Sequence, residues 1–60
     1  MRKYNVYFEI FKNNGHKENR TIHVEAGTKK LAVLRAMSEI NKLEGYSGLF
    51  KNVIKIEEVA

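Results

Sequence analysis

Residues 4–11 read YNVYFEIF, and both faces of an extended strand lay claim to them. Successive side chains of a strand point to opposite faces. Tyr4, Val6, Phe8 and Ile10 therefore form one row, while Tyr7 and Phe11 share the other with Asn5 and Glu9. A strand burying a single face needs only the first row. The second aromatic row makes this segment, about residues 3–12, the most apolar strand of the chain and points to a central position in a sheet.

Residues 12–17, KNNGHK, carry a hairpin signal, and ENRTIHVEA (18–26) follows with strand alternation. Ile22, Val24 and Ala26 fall on one face, and Thr21, His23 and Glu25 on the other. A two-residue turn centred on Asn14-Gly15 would set Val6 opposite His23 and mix the faces. A three-residue loop Asn13-Asn14-Gly15, a type I turn ending in a left-handed glycine, sets Val6 opposite Ile22 and Tyr4 opposite Val24. Burial parity selects the longer loop.

Beyond Gly27, Thr28 is placed to cap a helix running from Lys29 to about Glu44, where Val33, Ala36, Met37, Ile40 and Leu43 form one stripe at helical spacing. Gly45 suits the helix exit. GYSG (45–48) is a loop, Leu49 and Phe50 are expected to cap the core, and a third strand is expected from about Val53 to Glu58 with Ile54 and Ile56 facing inward. The chain thus reads as one α+β domain over residues 1–60, ββαβ, with a three-stranded antiparallel sheet ordered 2-1-3. One helix covers one face, and the crossover obeys the right-handed rule for the parallel second and third strands.

Composition narrows the function classes. A chain of 60 residues buries only about 60% of its unfolded surface, and the absence of cysteine excludes disulfides and thiolate metal sites. Association is then the most accessible added support. Eleven Lys and Arg against seven Glu give a net charge of +4, with the bases scattered. The longest apolar run, Leu31–Leu34, is far short of the roughly 20 residues that span a bilayer, so no membrane partner is expected. With no apolar leader after Arg2 and Lys3, a cytoplasmic location is expected.

The open sheet face should display Asn5, Tyr7, Glu9, Phe11, His23, Glu25, Lys55 and Glu57. Aromatic rings beside bases suit single-stranded nucleic acid, through stacking and phosphate neutralisation. Three glutamates on the same face oppose that. Covering Tyr7 and Phe11 with a second protein surface fits the pattern better. Leu31 points away from the core stripe and Leu34 lies on its shoulder, forming a candidate contact patch beside Arg35.

No catalytic constellation emerges. Ser38 and Ser47 have no positioned base, the chain has no aspartate, and a fold this small leaves little room for a substrate pocket of about 300 Å³. His23 and Glu25 share a strand face, but two ligands do not make a metal site. No GxxxxGK[ST] or GxGxxG occurs. The expectation is a non-enzyme without cofactor, metal or small-molecule substrate. It would self-associate or bind a protein through the open sheet face, an exposed edge of the second or third strand, or the helix patch, with Tyr7, Phe11, His23, Lys55, Leu31 and Leu34 as the contact residues; nucleic acid is the alternative partner, through Tyr7, Phe11, Lys3 and Lys55.

In the cadence of its KYNVYFEIF and RTIHVEAG strands, its TKKLAVLRAM helix and its terminal VIKIEEV, the chain resembles small uncharacterised proteins carried by phages and other mobile elements of Gram-positive bacteria. The resemblance implies a bacterial or phage cytoplasmic setting and no particular activity.

Overall fold

Hydrophobic pairing across two hairpin strands sets the frame. In the computed structural model, which describes residues 1–43 and 45–59, the elements are β1 (Arg2–Phe11), β2 (Lys17–Ala26), α1 (Lys29–Lys42) and β3 (Phe50–Val59). β1 is central in a sheet ordered β2-β1-β3, antiparallel to both neighbours. Arg2 lies opposite Ala26, Tyr4 opposite Val24 and Val6 opposite Ile22, the expected register. The three-residue loop closes it: Lys12 N–H donates to His16 O at 2.8 Å and Gly15 N–H to Lys12 O at 3.0 Å. Gly15 has φ 87°, a conformation that a side chain would strain.

The core is built on one row of β1. Tyr4, Val6, Phe8 and Ile10 are at most 1% exposed, and Ala26, Ala32, Ala36 and Ile40 complete the buried set. The helical stripe is rotated slightly from expectation. Ala32 is buried whereas Val33 is half-buried, because alanines facing the sheet let the helix backbone approach it closely. Thr28 caps α1, its Oγ1 accepting from Leu31 N–H at 3.2 Å. The expected helix end at Glu44 lies outside the described residues; Lys42 is the last helical residue and Leu43 the C-cap.

One helix is about 10–12 Å wide and strands are about 4.8 Å apart, so α1 can shield roughly two strands of three. It packs chiefly on β2, less on β1 and least on β3. The helix side of β3 is consequently open, with Ile56 half-buried and Val53 37% exposed.

β3 departs from the sequence reading in two ways. It is longer, starting at Phe50, and it carries a bulge: Tyr7 pairs with Lys55 but Phe8 with Val53, leaving Ile54 as the extra residue. The alternation shifts there by one. Ile54, expected in the core, is 57% exposed, and it lines a shallow hollow on the open face with Tyr7, Thr21 and Lys55. Phe50, expected to cap the core, lies on the open face opposite Phe11, whereas Leu49 does pack on the core.

Candidate functional site

Strand pairing brings Tyr7, Phe11, His23 and Lys55, four of the six residues singled out from the sequence, together on the open face. His23 Nδ1 bonds Asn5 Oδ1, and Asn5 Nδ2 donates to Glu57 Oε1 at 3.4 Å. Tyr7 OH donates to the same carboxylate oxygen at 3.0 Å, and the Lys55 ammonium sits 5.5 Å from the Tyr7 ring centre. The result is a polar ladder across three strands. Hydrogen bonds from Tyr7 and then Asn5, with Lys55 nearby, hold the Glu57 carboxyl below the usual glutamate range.

This ladder occupies Tyr7. Its hydroxyl is committed to Glu57 and one approach to its ring is taken by Lys55, so it offers a base less stacking surface than its sequence position suggested. Phe11 stacks on Phe50 with ring centres 5.4 Å apart and planes tilted by 45°. Phe50 is 64% exposed. That aromatic pair closes the hairpin end of the face, near Lys17, whose ammonium lies 3.8 Å from Glu9.

Leu31 and Leu34 are exposed as expected. Their helical spacing from Ala32, Ala36 and Ile40 puts them on the outer side of α1, so they do not join the open face. Two separate surfaces carry the six residues.

The two strand edges, also expected as contact surfaces, are unequal in a way the sequence did not show. Among the described residues, the exposed large hydrophobic side chains are Met1, Leu31, Leu34, Phe50, Val53, Ile54 and Val59. The last four belong to β3, and none belongs to the other edge strand, β2. The adjacent Val53-Ile54, two apolar residues interrupting a period-2 pattern, was the available signal of the bulge.

On the helix side of the hairpin end, Tyr46 reaches back from the loop after α1. Its hydroxyl donates to Glu18, which Lys12 also meets at 2.8 Å, and the Lys12 and Arg20 cations lie 5.9 and 5.3 Å from its ring centre. Hydrogen bonds from Lys12 and Tyr46 pull the Glu18 carboxyl down, and the bond to Glu18 pushes the Tyr46 hydroxyl and the Lys12 ammonium up. Tyr46 packs on the core, so it fastens a loop.

The expectation of too little room for a pocket does not hold for bare volume. An open groove of about 670 Å³ runs along the seam of α1 and β2, past Ile22, Val24, Arg35 and Leu43. Arg35 crosses it, donating to Glu25 O at 2.7 Å. Among the described residues no cluster of three metal-ligating side chains occurs, and no helix is long and apolar enough to cross a membrane. No family model, curated protein or solved structure matches the chain.

Proposed function

We propose that the protein is a small non-enzymatic interaction module whose working surface is the β3 edge with the adjoining part of the open face. The observation that carries this reading is the concentration of exposed Phe50, Val53, Ile54 and Val59 on one edge strand, Val53 on the helix side and the others on the open face. A ten-residue edge exposes unpaired backbone donors and acceptors, and apolar side chains beside them favour strand addition by another protein surface. The cytoplasmic, bacterial or phage setting implied by the sequence resemblance is part of this proposal. The polar ladder around Tyr7 and the glutamates of the open face weigh against nucleic acid.

Capture from a lysate of bacteria that also express an untagged copy of the protein, with and without nuclease, tests the reading using wild type, Ile54→Lys and Leu34→Ala as baits. A protein retained by wild type and Leu34→Ala but lost with Ile54→Lys is the expected outcome. Equal capture by all three baits, or recovery abolished by nuclease and by moderate salt, contradicts it.

A further inference from the structure

We infer that β3 pairs with β3 of a second copy around a two-fold axis at the bulge, joining two sheets into one of six strands. This rests on the proposed role of the β3 edge and names its partner. In a two-fold antiparallel pair, residues directly opposite must lie on the same face. On β3 the helix side is defined by the partners of the buried β1 row: Lys51, Val53, Ile56 and Glu58 lie opposite Ile10, Phe8, Val6 and Tyr4. Phe50, Asn52, Lys55, Glu57 and Val59 lie opposite Phe11, Glu9, Tyr7, Asn5 and Lys3 on the open side, where Ile54 also lines the hollow.

A strand without a bulge would pair in registers that match odd with odd and even with even. The bulge reverses parity between Val53 and Lys55, and one two-fold register then keeps every residue face to face. It sets Phe50 opposite Val59 of the second copy, Lys51 opposite Glu58, Asn52 opposite Glu57, Val53 opposite Ile56, and Ile54 opposite Lys55. Shifting by two residues either way places an open-side residue against a helix-side one.

Charge supports the same register. Lys51 stands near the start of the strand and Glu58 near its end, so antiparallel self-pairing brings this opposite-charge pair together twice, once on each side of the axis, and no like charges meet directly. In the isolated chain these groups have weaker partners: Lys51 Nζ donates to Leu49 O at 2.8 Å, and Arg2 approaches Glu58 only to 3.8 Å. The assembly closes on itself, because both β3 edges are consumed and β2, with Lys17, Glu18 and Arg20 and no exposed large hydrophobic residue, is left outside.

Sedimentation equilibrium from about 10 µM to about 1 mM gives a dimer for wild type. Lys51→Glu and Glu58→Lys each raise the dissociation constant about tenfold, since each sets like charges opposite one another at two places, and the double variant restores wild-type affinity. As a check that does not depend on affinity, an oxidised equimolar mixture of Asn52→Cys and Glu57→Cys yields a covalent heterodimer, whereas each variant alone links poorly. A wild-type monomer throughout the range overturns the second-copy partner and leaves the lysate experiment to decide the wider reading. A dimer insensitive to the charge reversals, with cysteine variants linking as readily alone as mixed, overturns the register.

Discussion

Glu18 concentrates more of the pH response than its place near a turn suggests. Its carboxyl is lowered by Lys12 and Tyr46, so the folded protein holds this group as a carboxylate to lower pH than the unfolded chain does. The resulting stability is complete above the unfolded value of about 4.3 and is lost as pH falls through the folded value. Glu57, lowered by Tyr7 and Asn5, adds to the same acid limb. Tyr46 and Lys12, both raised, contribute on the alkaline side: their share is complete below their unfolded values near 10 and is lost as pH rises through the folded ones. Thermal melts of wild type and Glu18→Gln should differ near neutrality and converge only once pH has fallen below the lowered folded value of Glu18. A difference that persists at low pH would show that Glu18 acts through something other than its charge.

Single side chains also test the bulge. Phe8 is fully buried, and Phe8→Ala should cost about 3–5 kcal/mol. In protein dilute enough to be monomeric, Ile54→Ala should stay within about 0.5 kcal/mol, because Ile54 lies outside the core. Denaturant titration measures both. A loss of about 2–5 kcal/mol for Ile54→Ala would return that residue to the core position its alternation with Ile56 first suggested.

At the scale of elements, α1 begins well and continues less well. The Thr28 cap satisfies the Leu31 N–H, so Thr28→Ala should cost about 1 kcal/mol. The first turn contains Lys29 and Lys30 and no acidic residue, opposite to what the helix dipole favours. Lys29→Glu should therefore stabilise by about 0.3–1 kcal/mol, read as a shift in denaturation midpoint without a change in slope. β1, β2, their register and the helix cap were legible in the sequence because each depends on local spacing: alternation in the strands, a turn that preserves parity, a hydroxyl before a helical stripe. β3 was less legible, because the bulge is set by how the strand meets β1 and leaves only the Val53-Ile54 pair as a trace. The open-face residues were legible for the same reason as β1. Their ladder was not, since it joins Asn5 and Tyr7 to Glu57, some 50 positions away.

In the molecule as a whole, a three-stranded sheet is wider than the single helix resting on it. On the uncovered strip β3 exposes Val53, and on the open face the same edge strand exposes Phe50, Ile54 and Val59. The opposite edge differs in kind: β2 is polar along its exposed side and is close to α1, with Arg35 tied to Glu25 O. A chain this small gains from burying such a strip, and the β3 edge is the account's central claim. Amide hydrogen exchange, followed residue by residue in dilute and concentrated solution, tests it most directly. The account predicts that exchange slows with concentration at outward-facing amides between Phe50 and Val59 while β2 and the outer side of α1 are unchanged. Protection confined to β2, or to the Leu31 and Leu34 side of the helix, would contradict it.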